Sequence, residues 1–194
     1  MRADNRAALL RGARACLDKR GYARTRARDV ATAAGVSTAA IGYHFGTTDA
    51  LLIAALMDGM EEWSRQLDRR LRSLAAQPFS GRLAEIYRCV ADSLPGHRGV
   101  LAASFELIAR ADDDVYVQRQ LRRAVAQARR GLAEQMLGID ADADPDRADR
   151  AGAACYAMVS GLIVQWLVDP DALPRPEPAV ADLRQAFGEA ITDA

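Results

Sequence analysis

Cysteine is scarce in this 194-residue chain, with only Cys16, Cys89 and Cys155, widely separated and never in a CxxC pair. An odd number at such spacing excludes a disulfide framework and fits reduced, buried thiols in a cytoplasmic protein. Histidine is scarcer still, with only His44 and His97. That leaves no HExxH pair and no nucleophile–histidine signature, and no P-loop or GxGxxG compensates. No enzyme, no metal and no cofactor are therefore expected. The acidic stretch 140–146, "DADADPD", imitates the start of a calcium loop. Pro145 stands where that loop needs glycine and Ala151 where it needs its closing glutamate, so a solvated acidic loop is the better reading. The N-terminus carries charges throughout and lacks the apolar centre of a signal peptide. One stretch, Ala151 to Val168, is free of charge for eighteen residues, the lower limit for a membrane span. Much of it is Ala and Gly, so a buried or interface helix is expected and no membrane partner.

Strong β-formers are sparse, whereas Ala makes up about a fifth of the chain and Leu and Arg are common. That composition points to an all-α fold. The net charge is zero but unevenly spread. Residues 1–50 hold nine Lys/Arg against four Asp/Glu, and the remainder holds seventeen against twenty-two. A basic head on an acidic body suits a polyanionic partner at one end only.

The apolar pattern divides the chain into about nine helices. Leu9, Leu10, Ala13, Cys16 and Leu17 form one face of the first, which Gly21 ends. Thr25 is expected to cap a helix over 26–34, and Ser37 a third over 38–45. Thr47 or Thr48 caps a long fourth helix, whose stripe runs Leu52, Leu56, Met60, Trp63, Leu67, Leu71 and Leu74. "QPFSG" (77–81) is expected to break it. Further helices follow before "PGHRG", after it to Ile108, over 113–137 and over 146–168. The prolines of "DPDALPRPEP" are expected to exclude helix before a last one over 178–191, which carries Val180, Leu183, Phe187 and Ile191.

The second and third helices form a helix-turn-helix pattern. Ala31 allows close approach, Gly35 supplies a positive φ, and Val36 and Ile41 bury between the helices. Ile41 and Phe45 lie within about 40° of each other on the helical wheel and point inward. Ala39, Ala40, Tyr43 and His44 then fall on the other side, with Thr38 at the exposed start. Such a helix is slim enough for a major groove, its N-terminal residues facing base edges and Tyr43 and His44 facing phosphates.

"TRARDVATAAGVSTAAIGYHFGTTDALL" (25–52), with "ACLDKRGY" (15–22) before it, closely resembles the DNA-binding head of the TetR family of bacterial transcriptional regulators. The resemblance covers about the first quarter of the chain; the remainder matches in plan. It implies an N-terminal helix-turn-helix DNA-binding domain over 1–47 and a ligand-binding and dimerisation domain over 48–194. It also implies a homodimer on a palindromic double-stranded operator, most often a repressor. Position by position it assigns DNA contact to Arg28, Ser37, Thr38, Ala39, Ala40, Tyr43, His44 and Thr48. Tyrosine is frequent in the family where this chain has Gly42, so Tyr43 takes over that role or sits beside it. Lysine is frequent where this chain has Thr48, which makes that phosphate contact neutral here. Plainer readings stand beside these: Arg28 as a solvated helix charge, Thr38 as a helix start, His44 as a structural histidine.

The same resemblance places a pocket for a small hydrophobic or amphipathic effector among helices four to seven. Its candidates are Trp63, Tyr87, Phe105, Glu106, Tyr116 and Trp166, with ordinary core filling as the alternative for each and a surface salt bridge for Glu106. "SGLIVQWLVDP" (160–170) looks like the family's penultimate helix, which with the last builds a four-helix dimer interface. Ala154 and Gly161 permit close helix contact there, and Met158, Leu162, Gln165 and Phe187 add area. A regulator answering to a protein partner or to no ligand, or an all-α adaptor or enzyme, are the competing readings.

Overall fold

The computed structural model describes residues 2–72, 79–110 and 114–187, and the side chains of all of these except 2, 3, 79–81, 184, 186 and 187. Among the described residues the chain forms nine α-helices and no strand. They are α1 (Arg2–Arg20), α2 (Ala27–Ala34), α3 (Ala39–Phe45), α4 (Thr48–Arg72), α5 (Phe79–Ser93), α6 (Arg98–Ile108), α7 (Val115–Leu137), α8 (Pro145–Val168) and α9 (Pro176–Phe187). A short 3-10 turn, Pro95–His97, precedes α6. Leu74 and Ile191 lie outside the described residues, as does the side chain of Phe187.

The helices sort into two compact units, one of residues 1–63 and 97–122 and the other of 64–96 and 123–194. In the first, α1 packs against α2, α3 and α6. The inward stripe of α1 is where its periodicity puts it: Leu9, Ala13, Cys16 and Leu17 are buried, with Leu10 packed against them. Val30 of α2, Ile41 of α3, and Leu51, Leu52 and Leu56 of α4 complete this core. Arg14, on the flank of α1, forms an ion pair with Glu62 and approaches Asp58 at 3.5 Å, tying α1 to α4.

Two expected caps are replaced. Thr25 does not cap α2; it is buried, and its hydroxyl donates back to the Gly21 carbonyl at 2.7 Å. The start of α2 is held instead by Asp29, whose carboxylate accepts the Arg26 N–H at 3.0 Å. A carboxylate in the first turn also suits the positive end of the helix. At α3 the first turn closes through main chain rather than a Ser37 side chain: the Ser37 carbonyl accepts the Ala40 N–H and the Thr38 carbonyl accepts the Ile41 N–H, both at 3.1 Å. At α4 the choice falls on Thr47, whose Oγ1 accepts the Ala50 N–H at 3.0 Å.

In the second unit α5 packs against α8 and α9. Cys155, Val159, Leu162, Ile163 and Trp166 of α8 are buried there. α8 is long and apolar enough to cross a membrane by length and composition, and a third of its most apolar window is buried inside the protein. The acidic loop before it is a set of turn and cap bonds. Asp140 accepts the N–H groups of Asp142 and Ala143 at 2.9 and 3.1 Å, and Asp144 caps α8 by accepting the Arg147 N–H at 3.1 Å. Pro145 then occupies the first helical position, where its missing N–H costs nothing. α4 ends at Arg72, ahead of the expected break, and Phe79 to Gly81 of that stretch already belong to α5. The proline logic corrects the other expected break: α9 begins at Pro176 with Pro178 in its first turn, because the first N–H groups of a helix have no partner within it.

Two glycines of α8 differ in surroundings. A Cβ on Gly152 would stand 2.1 Å from the Arg129 carbonyl oxygen of α7, whereas one on Gly161 would meet nothing within 4 Å. Gly152→Ala should therefore cost about 1–3 kcal/mol of stability by forcing two helices apart. Gly161→Ala should leave the single chain unchanged or more stable by up to about 1 kcal/mol through helix propensity. Paired urea melts at low protein concentration test both.

Candidate nucleic-acid interface

The turn between α2 and α3 is set by Gly35, with φ 66° and ψ 31°. The Gly35 N–H donates to the Thr32 carbonyl at 3.2 Å and the Val36 N–H to the Ala31 carbonyl at 3.0 Å. This pair of bonds is a Schellman closure, and the left-handed residue at its centre favours glycine. Val36 then packs on the core. The turn delivers α3 with Ile41 buried and Phe45 packed against the same cluster.

The opposite side of α3 is open. Thr38 and Ala39 are exposed, and Tyr43 is 69% exposed. His44 is half-buried and meets Tyr43 edge to face, with ring centroids 4.9 Å apart. Ser37, ahead of the helix, is exposed. Ala40 departs from the wheel: it is half-buried against the core, which leaves it less available than Ala39. Thr48 is half-buried at the start of α4. Arg28 is exposed on α2 and has no carboxylate partner among the described residues, whereas Asp29 beside it pairs with Arg20 at 3.2 Å. The structure thus brings Ala39, Tyr43 and His44 together on one short helix with Thr38 just before it, and keeps Arg28 on the preceding helix.

Contacts from distant sequence brace this head. The Tyr22 hydroxyl donates to Asp49 at 3.3 Å. Burial, with the Asp49 carboxylate beside it, pushes that hydroxyl well above the usual tyrosine range, so it remains a donor. Glu106 of α6 accepts the Ala23 N–H at 2.8 Å, at the corner between α1 and α2. The Arg110 guanidinium lies 6.0 Å from the centre of the Tyr22 ring, and that of Arg6 lies 5.1 Å from the Phe45 ring. None of these pairs has a sequence signal, since each joins residues from different helices or turns.

The expected pocket residues fall in both units, Trp63, Phe105, Glu106 and Tyr116 in the first and Tyr87 and Trp166 in the second. In the first unit Trp63 is buried with its ring 6.5 Å from that of His97, and Phe105 is half-buried. Glu106 is half-buried and accepts the Ala23 N–H, and it forms no ion pair among the described residues. Tyr116 is 50% exposed, because the first turn of α7 stands at the surface. In the second unit Tyr87 is buried, and its hydroxyl has no hydrogen-bond partner among the described residues. Trp166 floors an open groove of about 600 Å³ with Arg88, Asp92, Leu173 and Arg175. Arg88 also forms ion pairs with Glu85 and Glu177, joining α5 to the start of α9.

On α8, Ala154 and Gln165 are exposed, and Met158 and Gly161 are half-buried. Leu162 faces the other way and is buried in its own unit, so it offers no area to a partner. Val164 and Val168, not foreseen, are exposed instead, Val168 by 82%. Burial raises the thiols of Cys16, Cys89 and Cys155, which disfavours a reactive thiolate at any of them. Among the described residues no three His, Cys, Asp or Glu side chains stand together as a metal site.

Residues 9–55 match the family model for bacterial regulatory proteins of the tetR family, and residues 80–193 match that for the tetracyclin repressor-like C-terminal domain. The chain is 31% identical over 186 residues to the HTH-type transcriptional regulator TtgR of Pseudomonas putida, covering 88% of this chain and 83% of that protein. A putative TetR-family transcriptional regulator from Rhodococcus sp. shares its fold with a TM-score of 0.69 at 24% identity, covering 95% of this chain and 97% of that one. So does the multidrug binding protein EbrR complexed with imidazole, with a TM-score of 0.66 at 23% identity and coverage of 94% and 88%. The helix-turn-helix geometry and matches along most of the chain lead to one assignment: the chain belongs to the TetR family of bacterial transcriptional regulators.

Proposed function

We propose that this regulator binds a palindromic DNA operator as a homodimer in the cytoplasm and represses transcription until a small hydrophobic or amphipathic molecule releases it. The observation that carries the DNA half is the two-sidedness of α3, with Ile41 buried behind and Tyr43 open in front. In this reading residues 1–47 make the DNA contacts, and 48–194 hold the effector and the dimer interface. Thr38 and Ala39 face base edges, Ser37, Tyr43, His44 and Thr48 face phosphates, and Arg28 reaches either. Two heads then meet successive major grooves with centres about 34–36 Å apart.

The dimer is supported by the open side of α8, where Ala154, Gly161, Val164 and Val168 present small and apolar groups. Small residues let helix backbones approach, and the valines supply apolar area. The effector is supported by the buried Tyr87 hydroxyl, a donor without a protein partner among the described residues, and by the multidrug and imidazole binding of the EbrR structure. Effector and operator would oppose each other by a coupling of about 1–3 kcal/mol, equal in both directions. The open form of the Trp166 groove favours, as a second reading, a regulator that answers to a protein partner instead.

Gel shifts against DNA upstream of the gene, with and without a panel of amphipathic compounds, test the scheme. Arg28→Ala should weaken operator binding by about 1–3 kcal/mol and relax preference at one position if it reads a base. Tyr43→Phe should weaken all sequences alike, and a changed preference would contradict a phosphate role. Gly161→Arg should yield monomers by sedimentation while the far-ultraviolet spectrum stays helical; retained dimers would place the interface elsewhere.

A further inference from the structure

We propose that Arg6, on α1, is a DNA phosphate contact held at the flank of α3 by its stack on Phe45. The inference rests on the DNA-binding reading of α3 and adds a residue from a helix outside the helix-turn-helix pair.

The geometry is specific. Arg6 is exposed, and its guanidinium carbon lies 5.1 Å from the centre of the Phe45 ring. A guanidinium over a ring face engages its π surface and leaves its N–H donors at the planar edge. Among the described residues no carboxylate pairs with Arg6, unlike Arg14 and Arg20 of the same helix, which pair with Glu62 and Asp29. A charge that keeps all its donors and has lost part of its rotamer freedom to a stack is preorganised for a bidentate acceptor.

Position selects the acceptor. Phe45 is the last residue of α3, followed by the Gly46–Thr47 turn into α4. The groups on that side are short of cations. Thr47, whose Oγ1 accepts the Ala50 N–H, and Thr48 are neutral, and the Asp49 carboxylate accepts from Tyr22. If Thr38 and Ala39 face bases, the end of α3 faces the flanking backbone, and among the described side chains Arg6 is the cation stacked at that end. The alternative is that the stack only steadies α3, as a modest cation–π contact at an exposed site.

Salt dependence separates the two. The wild-type chain would first select a duplex from a random-sequence library, and its affinity for that duplex would be measured from low to high salt. Loss of one phosphate contact lowers the slope of log affinity against log salt by about 0.9, which amounts to about eightfold weaker binding at 0.1 M salt and a vanishing difference toward 1 M. Arg6→Gln should show that pattern, and Arg6→Lys should restore the slope. A uniform loss for Arg6→Gln at every salt concentration, with the wild-type slope kept, would assign Arg6 to the stack alone and overturn the proposal, as would unchanged affinity. If the wild-type chain selects no duplex, the DNA reading itself fails and takes Arg6 with it. Melting curves of each variant confirm that an exposed substitution leaves the fold intact.

Discussion

A helix of seven residues makes too few internal hydrogen bonds to persist in water alone. α3 therefore exists because Ile41 is buried, Phe45 leans on the same core, and the Gly35 turn fixes the angle of entry. Once those two inward positions are taken, the helical period leaves Ala39 and Tyr43 outside. The open face is thus a by-product of the anchor, and every other feature of the head serves to keep the anchor in place.

That support comes from four directions. α1 supplies Leu9, Ala13 and Leu17 beneath α2 and α3, and the Arg14 pair with Glu62 fastens α1 to α4. The Tyr22–Asp49 bond ties the end of α1 to the start of α4. Glu106 and Arg110 bring the end of α6 to the corner after α1. These polar links are partly exposed, so each contributes modestly, and the buried apolar set carries most of the stability.

Much of this was legible in the sequence because it follows from periodicity and from special backbone demands. The stripe on α1, the Gly35–Val36 turn and the inward pair Ile41 and Phe45 needed only spacing. What escaped was of two kinds. Local choices between near-equal options went astray where main chain or a nearby carboxylate could do a cap's work: Thr25 turned back to Gly21 and Asp29 served α2. Pro176 and Pro178 look like breakers in the sequence, yet the opening turn of a helix has no use for the N–H that proline lacks. The second kind was tertiary. Glu106 and Arg6 find partners more than 35 residues away, Leu162 turned into its own unit while Val164 and Val168 turned out, and Tyr116 sits at a surface turn. Spacing along one helix carries no information about which neighbour stands opposite.

The Glu106 bond has a consequence for anyone wishing to recombine such regulators. The helix-turn-helix head reads in sequence as a detachable N-terminal segment, yet here a carboxylate from α6 accepts the amide N–H of Ala23. A chimera joined just past α3 would leave that exposed amide to water and uncover the apolar core that Tyr22 shares with Val100, Ala103 and Leu107 of α6. The natural unit of transplantation is the head together with α6, discontinuous in sequence but continuous in its bonding.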